Sequence, residues 1–223
     1  MENPLISVLM PVYKHEAYLM ESVHSILSQT VTDFELIILN DNSIGDLLDY
    51  HDLDGRIKVY ECSVHKGKWY RIKQGFGLAK GQFIAFQDAD DVSIPQRFEL
   101  SLKNIGDADF LYSDAISMNK DGTHSYLRCQ DLEIENRPLG NQGSYFFRKV
   151  ISIKYPEIGR GDDWLFVAEC FKKGFKFKYL PLPLYYYRDY SGNFRANSNK
   201  IKRYFSNRKL RKIVNQITQS TSC

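Results

Sequence analysis

Phe83-Ile84-Ala85-Phe86-Gln87-Asp88-Ala89-Asp90-Asp91 joins an apolar run to three carboxylates, and that junction decides how the chain is read. The first four residues have the character of a strand buried on both faces, as in a parallel sheet. The carboxylates fall where such a strand ends. Like charges this close repel and resist burial, so they call for water or a cation. Asp-x-Asp behind a buried strand suits a hard divalent ion held by one or two carboxylates, with substrate phosphates and water completing its shell. The pattern therefore points to diphosphate chemistry. The same residues also fit a solvated acidic turn or a helix N-cap with Pro95 in the first turn.

The flanking sequence supplies a frame for that strand. Leu5 to Met10 reads as a strand closed by Pro11, and His15 to Gln29 carries helical spacing through Tyr18, Leu19, Val23, Ile26 and Leu27. Phe34 to Leu39 is the next strand and runs into the polar turn Asn40-Asp41-Asn42-Ser43. Strand, helix, strand makes a parallel βαβ unit. Ile57 to Tyr60 is a third strand, followed by a helix from Lys68 to Ala79 that Gly81 ends. In such sheets ligands gather at the carboxyl ends of the strands, where Asp41 and Asp88 to Asp91 both sit. Beyond Pro95 a helix reaches Ile105, and Asp109 to Tyr112 reads as a strand. Ser113 to Gly140 reads as polar and irregular, with a hairpin turn at Lys120-Asp121-Gly122. Gly143 to Arg148 is a further strand, Asp162-Asp163-Trp164 opens a helix closed by Gly174, and Phe175 to Tyr187 is an extended run broken by Pro181 and Pro183.

The 223 residues suit one domain with a sizeable core. Cys62, Cys129, Cys170 and Cys223 are scattered without metal or disulfide spacing, which fits a reducing compartment. Met1 to Pro4 leads straight into a strand, with no signal peptide. No apolar run approaches the roughly 18 residues of a membrane span, so the expected location is cytoplasmic. The net charge of +3 is uneven: Arg195 to Lys212 holds eight basic residues and no acid follows Asp189. Within 195–217 the basic residues interleave with Ile201, Tyr204, Phe205, Ile213, Val214 and Ile217. That pattern fits an amphipathic helix lying on an anionic membrane or an adjoining domain, with nucleic acid not favoured, or a solvated helix on the domain's flank.

These stretches resemble the inverting glycosyltransferases of the GT-A fold, in the group typified by family 2. Ser7 to Tyr13 matches that family's opening strand with P-x-Y. Ser25 to Thr30 followed by Phe34-Glu35-Leu36-Ile37 matches its S-x-L-x-Q-T and F-E segment. Asn40 to Ser43 stands at its D-D-G-S turn and Asp88 to Asp91 at its D-x-D-D. Gly143-Ser144 with Phe147-Arg148 matches its G-S-x-x-F-R strand, and Asp162-Asp163-Trp164 its E-D-aromatic helix start. Each motif alone is weak, but their common order over most of the chain makes the resemblance specific.

The resemblance implies an α/β fold with a Rossmann-like, mostly parallel sheet flanked by helices and a small mixed acceptor-side subregion. Residues 1–194 would form the GT-A domain, with 1–112 binding the nucleotide-sugar and 113–194 the acceptor, and 195–223 would form a basic helical tail. It implies transfer of a sugar from a nucleotide-sugar, a UDP-sugar favoured, to a hydroxyl of a glycan or other acceptor, with inversion and with Mn2+ or Mg2+. Pro11, Tyr13, Asp41 and Asp88 would contact the nucleotide, Asp41 by accepting N–H bonds from the base. Asp90 and Asp88 would hold the metal, Asp91 would cap the next helix, Asp163 would be the general base and Asp162 its neighbouring acid.

The chain also departs from the pattern. Ile72 stands at the usual arginine of the A-R-N helix segment, which leaves Arg71 or Lys73 to reach the donor, and Tyr190 stands where many members have a histidine near the metal. A sugar nucleotidyltransferase is the alternative enzyme, although Pro11 to His15 lacks the glycines of a phosphate loop. A non-catalytic binding module acting through the basic tail is the third reading.

Overall fold

In a computed structural model the protein is described over residues 3–14, 16–42, 47–119, 121, 123–129, 141–149, 162–189, 212, 214 and 215. Its strands are β1 (Ile6–Val12), β2 (Phe34–Asn40), β3 (Ile57–Tyr60), β4 (Phe83–Phe86), β5 (Val92–Ser93), β6 (Phe110–Met118), β7 (His124–Leu127), β8 (Phe146–Arg148) and β9 (Phe177–Arg188). The α-helices are α1 (Glu16–Leu27), α2 (Lys68–Leu78), α3 (Arg97–Ile105) and α4 (Asp162–Lys172). The nine strands among the described residues form one sheet in the order β3-β2-β1-β4-β8-β6-β9-β5, with β7 paired to β6. From β3 to β4 the pairing is parallel, β8 runs against both β4 and β6, and β6 and β9 are parallel again. The expected mostly parallel α/β architecture is what the chain adopts. In the second half of the chain, β6 runs from residue 110 to 118 within the same sheet.

Alternation along the strands divides the core between the two faces of the sheet. Ile6, Val8 and Met10 of β1 with Leu36 and Ile38 of β2 pack with Leu19, Val23 and Ile26 of α1 and Phe98 and Ile105 of α3. Leu9, Ile37 and Leu39 turn the other way, onto Trp69, Ile72 and Phe76 of α2 and Phe166 of α4. Much of the chain's aromatic content lies here: the Phe86 ring meets Phe76, Phe147 and Trp69 edge-on, with centroids 5.3 to 6.1 Å apart.

Several polar motif residues turn out to be fasteners of this frame. Glu35 accepts from Ser7 Oγ and Lys80 N, both at 2.7 Å, and pairs with Lys58. Gln29 donates to the Ile94 carbonyl at 2.7 Å and accepts from Phe98 N at 3.1 Å, tying α1 to the start of α3. Gly81 lies against β1 so closely that a Cβ would stand 2.5 Å from Ser7 N.

Four local expectations are corrected. Strand β1 does not stop at Pro11 but continues to Val12, paired with Asn40. Pairing with β4 has ended by Leu9, on the side that a Pro11 N–H would face, so no ladder bond is lost. Residues 113–118 are not irregular but a buried extension of β6, held by β9 along its length. Gly143 and Ser144 lie in a 3-10 turn ahead of a three-residue β8. Finally, β9 runs through Pro181 and Pro183: one register shift, between Ser113 and Asp114, passes over Pro181, and Pro183 stands opposite Asp114 just before a second shift. The expected hairpin joins β6 and β7 with Asp121 in its turn, while Lys120 and Gly122 lie outside the described residues. Of the tail only Lys212, Val214 and Asn215 are described, and Val214 is buried in the α2–α4 face of the core.

Candidate active site

The sheet changes winding direction at β1, with β2 on one side and β4 on the other, and the site forms at the carboxyl ends of these strands. Tyr13 and Lys14 leave β1, Asp41 leaves β2, and Asp88 to Asp91 leave β4. The N-terminus of α2 closes one side, that of α4 another, and the end of β9 the third.

Asp41 is 1 % exposed and its two oxygens are surrounded by donors. Oδ1 accepts from Lys66 N at 2.8 Å and Arg71 Nε at 2.7 Å. Oδ2 accepts from Gly67 N at 2.7 Å and lies 2.7 Å from His65 Nδ1. Burial pushes its pKa up, but the Lys66 amide, Arg71 and the Gly67 amide together outweigh that and hold it below the usual carboxylate range. The His65 ring also stacks on Tyr13 with centroids 3.9 Å apart. Of the two side chains that partner Asp41, Arg71 is 4 % exposed and His65 46 %. The Tyr13 ring and the Asp41 carboxylate thus share one neighbour, His65, which stacks on the first and lies against the second.

Arg71 is buried and committed to Asp41, Gln74 and the Val64 carbonyl, whereas Lys73 faces solvent and Ile72 is wholly within the core. Of the two cations proposed from sequence, the structure therefore brings Arg71 to the strand ends as the partner of Asp41. Asn42, in place of the usual turn glycine, adopts φ +62°, a conformation asparagine tolerates.

At the β4 end, Asp88 is paired with Lys68, the first residue of α2, at 2.5 Å. Asp91 does not cap a helix: β5 follows it directly and α3 is preceded by Gln96. Instead its Oδ1 accepts the backbone N–H of Arg188 at 2.9 Å, and its buried Oδ2 has no hydrogen-bond partner among the described residues. Burial, then the charges of Asp88 and Asp90, raise the Asp91 carboxyl well above its ordinary pKa. Arg188 also donates from Nε to the Asp90 carbonyl at 2.9 Å and pairs with Glu21. Beneath the loop, Gln87 donates to Ser22 Oγ and to the Asp91 carbonyl and accepts from Ser93 and Arg97.

Asp163 is the second residue of α4. Burial raises its pKa, the Trp164 amide and Lys68 lower it, and Asp88 raises it, with a net upward shift. Lys68 responds in the opposite sense: burial lowers its pKa, but Asp88, Asp90 and Asp163 together raise it. The Lys68 ammonium is thus in contact with Asp88 and feels the charges of Asp90, Asp91 and Asp163. Asp162 begins the helix, but its side chain and Tyr190 lie outside the described residues.

Among the described residues no group of three or more His, Cys, Asp or Glu side chains is arranged as a metal cage. The oxygen-only donors at Asp88 and Asp90 nevertheless fit a hard divalent ion that takes one or two protein carboxylates and fills its shell from phosphates and water.

Sequence reasoning passed over Lys68, His65, Gln87 and Arg97. A signal existed for two of them. Lys68 puts a cation in a helix first turn, where the macrodipole disfavours it, and Arg97 falls on the buried face of α3 with Ser101 and Ile105.

Comparison with known proteins places this geometry. The chain is 29 % identical over 212 residues to an uncharacterized glycosyltransferase, MJ1057, of Methanocaldococcus jannaschii, covering 84 % of this chain and 72 % of that protein. It is 33 % identical over 198 residues to an uncharacterized glycosyltransferase of Haemophilus influenzae, covering 78 % of this chain and 74 % of that one. It spans only 18 % and 32 % of two further relatives, from Rickettsia bellii and Haemophilus influenzae. Among solved structures, Staphylococcus aureus TarS residues 1–349 with UDP-GlcNAc superposes with a TM-score of 0.75 at 18 % identity, covering 94 % of this chain and 66 % of that one. The mannosyltransferase PcManGT of Pyrobaculum calidifontis, solved with GDP-Man and Mn2+, gives 0.68 at 14 % identity, covering 88 % and 60 %. At these identities the structures attest the GT-A fold. The family model for glycosyl transferase family 2 matches residues 7–175, from β1 to just beyond α4, and the chain belongs to that family.

Proposed function

We propose that the chain transfers a sugar from a nucleoside diphosphate sugar, a UDP-sugar favoured, to a hydroxyl of a glycan or other acceptor, with inversion. The observation that carries this reading is the placement of Asp41 and Asp88-Ala89-Asp90 at the ends of β2 and β4, with Asp163 on the first turn of α4, electrostatically linked to Lys68 and Asp88 and with its pKa raised. Tyr13 and Asp41 would receive the base, Tyr13 by its ring and Asp41 by accepting an N–H in the place His65 now holds. Asp90, with Asp88, would hold Mn2+ or Mg2+, which when bound supplies Lewis-acid assistance to the departing diphosphate. The sugar–diphosphate bond breaks with its electron pair leaving on the diphosphate. The acceptor oxygen bonds to the opposite face of the sugar carbon, and its proton passes to Asp163. A carboxylate with a raised pKa is a stronger base for that proton. TarS with UDP-GlcNAc and PcManGT with GDP-Man and Mn2+ support the donor class and the ion.

The basic tail, 195–223, adds a location to this chemistry, an adjoining domain or an anionic surface. Burial of Val214 in this domain's own core supports instead the reading of a segment packed on the domain's flank.

Calorimetry of UDP with Mn2+ and with EDTA tests the reading. Binding should be tighter with Mn2+, and Asp90→Ala should remove the gain while leaving the melting temperature nearly unchanged. Equal affinity in the two buffers would rule out the metal role.

A further inference from the structure

Four carboxylates at the strand ends make a poor receptor for a diphosphate, which carries negative charge of its own. Some cation must offset them on the open side of the site. Three of the arginines near the cluster are committed elsewhere. Arg97 is wholly buried beneath the loop and donates to Gln87, Ser93 and the Phe86 carbonyl. Arg188 is tied to Glu21 and the Asp90 carbonyl, and Arg71 to Asp41. Lys68 differs from all of these. Its side chain is 39 % exposed, its ammonium lies 2.5 Å from Asp88 Oδ1, and it feels the charges of both Asp90 and Asp163. It also begins α2, at the positive end of that helix's dipole. One turn later on this helix, Ile72 fills the position where the family pattern has arginine, and it is buried in the core.

We propose that Lys68 is a diphosphate-binding residue: in the donor-free enzyme its ammonium holds Asp88, and on donor binding it turns to the diphosphate and leaves Asp88 to the metal. The inference rests on the nucleotide-sugar reading of the site. It makes Lys68 both a ligand for the substrate and a competitor for the ion. Donor and ion then bind cooperatively, because each takes one half of an existing ion pair. A lysine suits this exchange, since its flexible stem and point charge can serve either partner.

The test uses Lys68→Met, which keeps the stem and removes the charge at a half-exposed helix start, and Lys68→Arg, which keeps the charge. Calorimetry with UDP in EDTA should show residual binding by the wild type, a loss of about ten- to hundredfold in K68M, and retention in K68R. Mn2+ titrated without nucleotide, followed by its electron paramagnetic resonance signal, should bind K68M several-fold more tightly than the wild type. The inference is overturned if K68M matches the wild type in both titrations. If neither protein binds UDP or GDP even with Mn2+, the nucleotide-sugar reading fails and takes this one with it. Mn2+-dependent UDP binding that is identical in the two proteins would remove Lys68 alone.

Discussion

Arg97 Nη1 donates to Gln87 Oε1 at 2.9 Å, in a site closed to water one residue ahead of the Asp88-Ala89-Asp90 run. Burial lowers the guanidinium pKa to about 10, partly restored by Tyr185, Asp91 and Asp88, so it remains a cation at neutral pH. It is a fixed positive charge under a loop of carboxylates, and its hydrogen bonds to Ser93 and the Phe86 carbonyl set the height of that loop. Arg97→Met would leave those acceptors buried and unpaired. The expected loss is about 3 kcal/mol or more in stability, measured by urea denaturation, and a wild-type midpoint would refute the role.

For Asp163 the upward pKa shift fixes the direction of the pH dependence. The folded protein holds the proton more tightly than an exposed carboxyl does, so the group is available as a base only above its raised pKa. Turnover should therefore fall as pH drops through that value. Asp163→Asn cannot accept a proton and should lose about 10²–10⁴ in kcat with nearly unchanged UDP affinity. Steady-state kinetics on this variant and on Asp162→Asn separate the two acids. If the Asp162 variant is the inactive one, the base is reassigned to Asp162.

Asp41→Asn tests the base pocket. UDP, UDP-sugar and uridine should all weaken by the same roughly 1.5–3 kcal/mol, because the lost interaction lies in the part they share. The melting temperature should also fall, since Arg71 is left buried without its carboxylate. Unchanged uridine affinity by calorimetry would take Asp41 out of the nucleotide site.

A purely steric prediction concerns Gly81. A Cβ there would lie 2.5 Å from Ser7 N and 2.7 Å from the Ile6 carbonyl carbon, both backbone atoms that cannot rotate aside. Gly81→Ala should cost about 1–3 kcal/mol or more in thermal denaturation. It should also disturb the β1–β4 pairing that delivers Asp88, so nucleotide binding should weaken in step with stability.

Much of this site was legible because its elements are local. Runs such as Phe34 to Leu39 and Ile57 to Tyr60 carry their strand character within themselves, and Asp41 and Asp88 follow them at positions fixed by chain order alone. What the sequence hid depends on distant pairing. Ser113 to Met118 is polar enough to read as irregular, yet it is a strand because β9, some 65 residues later, lies beside it. There Asp114 is buried and takes hydrogen bonds from Tyr126 and Tyr179. Asp91 read as a helix cap because Pro95 and the next helix follow closely, while its actual partner, the Arg188 amide, is 97 residues away. Lys68 and Arg97 carried only a faint local signal, a cation in a helix first turn and a basic residue on a buried helix face, and neither declared its partners until the fold brought them together.

The bond from the Arg188 amide to Asp91 has a consequence for chain length. Successive amides of an extended strand point to opposite sides, so adding or removing a single residue between Tyr185 and Arg188 would turn that N–H away from the carboxylate. The register shifts at Pro181 and Pro183 show where β9 tolerates irregular spacing, and its last residues lie beyond them. The count of residues in this short segment is therefore as much a part of the site as the carboxylates themselves.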